Sequence, residues 1–153
     1  MKRTLVFIGI ILFILSGCQS NQINQVSEPP ANTKQNNIPE YVQSPDDIVD
    51  MHGDITNLDS FFTFIENVNQ GMKDKIRVVT YTTEGDPMLH ELDYNGEVIQ
   101  STTDTRRDKF GSGSISTATC KSIDIKEKDR RTDYDLTGCD KPNRDNTILV
   151  IWK

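Results

Sequence analysis

The chain has 153 residues, with 17 Lys and Arg against 23 Asp and Glu, a formal net charge of −6 at pH 7. That acidic balance argues against a nucleic-acid partner and against an electrostatic grip on anionic lipid. Three cysteines in so short a chain make redox compartment an early question.

The first residues, Met1-Lys2-Arg3-Thr4, are followed by an apolar run of 11 residues, Leu5 to Leu15, and then by Ser16-Gly17-Cys18. A positive start, a short apolar stretch and small residues before a processing point predict a secretory signal peptide over residues 1–17. The run is shorter than the roughly 20 residues a membrane span needs, although an uncleaved N-terminal anchor is the competing reading. Leu15-Ser16-Gly17-Cys18 resembles the lipobox of bacterial lipoproteins. That resemblance implies a diacylglyceryl group on the Cys18 thiol, cleavage just before it, and fatty acylation of the palmitate type. Each buried methylene contributes about 0.8 kcal/mol, so two acyl chains hold a protein stably where one does not. The expected location is the extracytoplasmic face of the cell membrane, with the membrane itself as a partner through Cys18. Processing leaves 153 − 17 = 136 residues and removes Lys2 and Arg3, so 15 cations face 23 acids, a net of −8.

Residues 18–44 read as the lipidated cysteine and a tether. The stretch from Gln19 to Pro39 is rich in Asn, Gln, Ser and Pro and has no apolar period, so it cannot offset its ordering entropy by burial. The 26 residues 19–44 give an average reach of roughly 25–30 Å. Residues 45–153 are then one domain.

Within it, Leu58, Phe61, Phe62, Ile65 and Val68 follow one face of a helix. Thr56-x-x-Asp59 or Asn57 is its expected start, and Gly71 its left-handed end. Ile76 to Thr83 is β-branched and aromatic, a strand, and Glu84-Gly85-Asp86-Pro87 a turn. Met88 to Tyr94 and Glu97 to Thr103 flank Asn95-Gly96, which predicts a tight hairpin with φ > 0 at both turn positions. Ser114 to Ile125, Tyr134 to Cys139 and Thr147 to Trp152 complete the strands. The continuously apolar Ile148 to Ile151 predicts a place inside the sheet rather than at its edge. The fold class is α+β: one amphipathic helix packed on an antiparallel sheet of about five or six strands. Cys120 and Cys139 in an exported domain predict one disulfide. A redox or metal pair is the alternative, without a Cys-x-x-Cys or a nearby His to support it.

The series His52-Gly53-Asp54-Ile55-Thr56-Asn57-Leu58, Ile76-Arg77-Val78-Val79-x-Tyr81-Thr82-x-Glu84-Gly85-Asp86-Pro87, Tyr94-Asn95-Gly96-Glu97 and Arg107-Asp108-Lys109-Phe110-Gly111-Ser112-Gly113 resembles a group of Bacillus-type lipoproteins whose domain has no assigned function. The resemblance covers about residues 45 to 152. It implies a small extracytoplasmic lipoprotein with paired cysteines, and it implies no activity.

Three sets of residues are candidates for chemistry. The acidic opening Asp46, Asp47, Asp50, His52 and Asp54 lacks the spacing of a calcium loop, so it reads as solvated charges and caps; no metal and no cofactor is expected. His90 shares parity with Met88, Leu92 and Tyr94, which predicts a hydrogen-bonded histidine on a partly buried strand face. His52 and Asp54 could make an acid/base pair, but no nucleophile stands in a recognisable setting, so no catalytic residue is assigned. The third set is Arg106, Arg107, Lys109, Phe110, Gly111 and Gly113: cations, an aromatic and a Gly-x-Gly in an acidic protein. Glycine-rich backbone can present convergent N–H groups to an anion; otherwise this is a surface loop whose cations offset neighbouring acids and whose Phe110 tucks under the sheet. The expectation is a non-enzymatic binding or structural module whose envelope protein or ligand is unknown. The alternative is a small envelope hydrolase, or a regulator or inhibitor of envelope enzymes.

Overall fold

A computed structural model describes residues 38–141 and 146–153. The expected signal peptide, Cys18 and most of the expected tether lie outside the described residues.

The elements are β1 (Ile48–Met51), β2 (Asp54–Thr56), α1 (Leu58–Asn69), β3 (Asp74–Tyr81), β4 (Pro87–Tyr94), β5 (Ile99–Asp104), β6 (Ile115–Cys120), β7 (Ser122–Glu127), β8 (Arg131–Thr137) and β9 (Thr147–Trp152). They form two sheets, a six-stranded one in the order β2-β1-β3-β4-β5-β6 and a three-stranded one in the order β7-β8-β9. Every neighbouring pair is antiparallel except β1 and β3, which run parallel. A parallel pair needs a crossover, and α1 lies between these strands in the chain. The fold is α+β, as expected, with a second sheet that was not.

One core joins the layers. Ile48, Ile76, Val78, Leu92, Tyr94, Ile99, Ala118 and Cys120 share the inner face of the large sheet, and Phe61, Phe64 and Ile65 come from α1. Tyr134, Leu136, Ile148 and Leu149 from the small sheet fill the same cluster. The expected helix face is off by one position: Phe64 is buried, whereas Phe62 is 43% exposed. The seam is thus Phe61, Phe64, Ile65 and Val68, an i, i+3, i+4, i+7 set. Asn57 takes the N-cap position with φ 57, and its side chain makes no cap bond. Its amide instead donates to the carbonyls of Pro45 and Asp47. Gly71 has φ +70, as expected of a left-handed helix end.

Four local expectations are corrected. First, the acidic opening contains β1 and β2, joined by His52 and Gly53 with φ 58 and 98. That is the two-residue turn with two positive φ values that the sequence suggested for Asn95-Gly96. Second, at the latter only Gly96 has positive φ. Pairing closes at Tyr94↔Ile99, and the Asn95 Oδ1 atom accepts the Glu97 and Val98 N–H groups, both at 2.9 Å. Third, the single strand expected over Ser114 to Ile125 is β6 and β7, in different sheets, with the chain changing sheet at Lys121. Fourth, β9 pairs only with β8 and is an edge strand. Its continuous apolar run has another cause: a register shift opposite Tyr134 and Asp135 leaves Ile148 as an extra residue. Such a bulge turns two successive side chains, Ile148 and Leu149, into the core.

Cys120 and Cys139 form the expected disulfide, 19 residues apart in sequence. Cys120 ends β6 in the large sheet, and Cys139 follows β8 in the small one, so the bridge ties the sheets together at the point where the chain crosses. Constraining a ring of this size stabilises by about 3 kcal/mol. Cys120→Ala with Cys139→Ala is therefore expected to lower the urea midpoint by that equivalent, whereas an unchanged midpoint would show that packing alone holds the sheets.

Candidate functional site

The outer face of the large sheet is built by the alternate residues of its strands. Val49, Val79 and Leu89 pair across β1, β3 and β4, and Tyr41 and Tyr81 cover them. Residues 38–44 contain no helix or strand, yet Tyr41 is fixed here. Arg77, on the same face of β3, makes a two-pronged ion pair with Asp47, Nε to Oδ1 at 2.7 Å and NH2 to Oδ2 at 2.8 Å. The Tyr41 hydroxyl donates to Asp47 Oδ2 at 2.7 Å and the Ser44 N–H at 2.8 Å. The Arg77 guanidinium also lies over the Tyr41 ring, 5.6 Å from its centre. Asp47 is 2% exposed. Burial alone would raise its carboxyl, but the hydrogen bonds from Arg77, Tyr41 and Ser44 outweigh that and hold it below the ordinary range. Burial, then the bond to Asp47, pushes the Tyr41 phenol up.

Beside this latch is a cleft of about 400 Å³, lined by Ile38–Tyr41, Tyr81, Gly85–Pro87, Arg106, Arg107 and Lys109. Two carboxylates organise its cations. Asp104, the last residue of β5, accepts Arg106 Nε and NH2, each at 2.9 Å, and Arg107 NH1 at 3.0 Å. The Arg106 side chain is the main reason its carboxyl sits far below the usual carboxylate range. Asp86, in the turn just before β4, accepts the Lys109 backbone N–H at 3.0 Å and the Lys109 Nζ at 2.9 Å. The backbone bond, then the ammonium, lowers its carboxyl. Arg107 Nε also donates to the Pro39 carbonyl at 3.1 Å, so the loop after β5 holds the segment that leads into the domain.

That loop is a built structure. Thr105 N donates to the Ser114 carbonyl at its base, and the Asp108 Oδ1 atom accepts the N–H groups of Phe110 and Gly111 at 3.0 and 2.8 Å. At Gly113, φ is +39 and a Cβ would stand 3.1 Å from the Arg106 Cα, which is why glycine is needed there. Of the six residues singled out from sequence, Arg106, Arg107 and Lys109 thus line one cleft, while Gly111 and Gly113 shape the loop behind it. Phe110 is not tucked under the sheet; it is 79% exposed at the tip. The sequence reading missed Tyr41, Tyr81, Asp86 and Asp104. The pairs Tyr81↔Pro87 and Leu89↔Asp104 bring three of them together, a register that strand parity alone does not fix.

The other candidates separate. The acidic opening is dispersed: Asp47 is buried on Arg77, and Asp50 accepts the Gly53 N–H at 2.7 Å. The expectation that all these acids are solvated fails at Asp47. Among the described residues no three His, Cys, Asp or Glu side chains are grouped to hold a metal. His52 is exposed in its turn. His90 is half-buried on the inner sheet face as expected, with Nε2 2.8 Å from the Ser101 hydroxyl, and it borders a second cavity of about 310 Å³ between the sheets.

Among the described residues no helix is long and apolar enough to cross a membrane. No curated protein and no solved structure matches the chain. A family model described as a domain of unknown function, DUF4362, matches residues 45–135. That span runs from the turn before β1 into β8 and holds every residue of the cleft except Ile38–Tyr41, and the chain belongs to this family.

Proposed function

We propose that this protein is an extracytoplasmic lipoprotein, anchored by a lipid on Cys18, whose domain is a non-enzymatic binding module with the cleft beside Pro39 as its ligand face. The observation that carries the reading is the cleft itself: Arg106, Arg107 and Lys109 gather there with Tyr41 and Tyr81 over a rigid sheet. Binding residues on loops held by a scaffold are a common arrangement. Each cation is already answered by Asp104 or Asp86, so a bare anion would have to displace a carboxylate. The cleft suits a zwitterionic or dipolar ligand that can address both signs at once.

The test is cross-linking in intact cells, comparing wild type with Arg107→Ala/Lys109→Ala. The variant is expected to fold and to lose the cross-linked species that wild type gives. An identical set of species from both would remove the cleft from the account.

A further inference from the structure

The geometry points to a second role for the same end of the molecule: it docks on the lipid surface to which the chain is anchored. This inference rests on the lipid-anchored reading and adds an orientation to it. Among the described residues, four of the eight exposed large apolar side chains stand at this end. Ile115 opens β6 opposite Asp104. Met51 closes β1 one residue beyond the Asp50↔Thr80 pair. Phe110 is the tip of the loop between β5 and β6. A Cβ on Gly53, two residues after Met51, would stand 3.5 Å from the Trp152 ring, which brings Trp152 to the same end.

Phe110 is not exposed by slackness. The Asp108 carboxylate fixes the backbone N–H groups of Phe110 and Gly111, so the exposed ring is presented at little ordering cost. Tryptophan and phenylalanine beside arginines suit the headgroup level of a bilayer, where one part of a side chain is apolar and the other wet. Arg131 lies over the Trp152 ring, 5.3 Å from its centre.

Charge permits the approach without driving it. Arg106 is matched by Asp104, Lys109 by Asp86 and Arg131 by Asp133, while Glu84 and Asp54 add carboxylates. The contact is therefore apolar, made without electrostatic attraction, and added salt does not release it.

The path of the chain selects the occupant. Nineteen residues separate Cys18 from Ile38, and Arg107 holds Pro39 at this end. Twenty peptide steps span at most about 70 Å. Confinement within that distance of the bilayer gives an effective concentration on the order of millimolar, so even weak insertion is populated.

The experiment uses the full chain as cells process it, reconstituted into phosphatidylglycerol and phosphatidylethanolamine vesicles containing lipids brominated in their acyl chains. Trp152 is the chain's one tryptophan, and Phe110→Trp adds a second reporter at the loop tip. The expected result is sedimentation with the vesicles, with blue-shifted emission from the added indole that the brominated lipids quench, in low and high salt alike. Sedimentation with solvent-like, unquenched emission overturns the docking and leaves the anchor standing. Blue-shifted but unquenched emission assigns the end to a protein contact and also overturns it. Protein remaining in the supernatant overturns anchor and docking together.

Discussion

Phe61→Ala is expected to lower the unfolding free energy by about 4 kcal/mol, the middle of the range for emptying a buried phenylalanine site. Phe61 is fully buried on α1, and its ring meets that of Tyr134 edge-on, 5.0 Å between centres at 85°. Tyr134 belongs to β8, so this one side chain couples the helix to the small sheet. The resulting void would lie where three layers meet, and none can collapse into it without moving the others. Phe62, its neighbour, is 43% exposed and 6.4 Å from the same tyrosine ring. Phe62→Ala removes mainly half-solvated surface and should cost below about 1.5 kcal/mol. Urea unfolding of the two variants gives the comparison. Equal losses would mean that the small sheet does not share the core.

Asp47→Ala is expected to cost about 3 kcal/mol, at the lower end of what breaking a buried ion pair costs, because the Arg77 side chain keeps 28% of its exposure and can regain some water. The change leaves Arg77 without its two-pronged partner and removes the acceptor of the Tyr41 hydroxyl and the Ser44 N–H. Asp47→Asn keeps the shape and part of the hydrogen bonding, so its loss should fall between wild type and the alanine variant. Acid should act through the same group. The folded Asp47 carboxyl is held below its unfolded value, so its stabilisation is complete above about pH 4 and is lost as pH falls through the lower, folded value. Asp104 and Asp135, also lowered, add to the same slope. Urea midpoints of wild type should therefore drop with acidification below pH 4, and the drop should be shallower in Asp47→Ala. Parallel curves for the two proteins would exclude Asp47 as a source of the acid sensitivity.

Much of the fold is legible from residue pattern because local and tertiary preferences agree. The helix is marked by apolar periodicity and by Gly71, β3 by its β-branched run, and the disulfide by cysteine count. The misreadings share a physical cause. A hairpin signal reports that a turn is present, but loop closure selects its geometry. His52-Gly53 adopts the two-residue form because Met51 and Asp54 pair directly, whereas the Asn95 side chain stabilises a longer connection. Likewise, parity along β6 and β7 holds a clue to the second sheet. Inward positions run Ala118 and Cys120 and then shift phase to Ile123 across Lys121, as a chain changing sheets requires. An apolar run such as Ile148 to Ile151 cannot distinguish a central strand from a bulged edge strand, since both put consecutive side chains in the core.

The cleft was half legible. Three cations in one loop stand out in an acidic chain, and the structure brings them to one surface. Their carboxylate partners lie at other strand ends, Asp86 at 23 positions from Lys109, where only pairing register brings them near. Asp47 shows the limit most clearly. Among five acidic and histidine positions within nine residues it looks solvated, and its burial depends on Arg77, 30 positions away.

Lipid anchoring at Cys18 underlies both the proposed location and the proposed docking. Intact-mass analysis of the protein extracted from washed cell membranes tests this directly. The prediction is a chain beginning at Cys18, bearing a thioether-linked diacylglyceryl group there, with the Cys120–Cys139 bridge intact. A chain that retains residues 1–17, or that carries a bare Cys18 thiol, would contradict it.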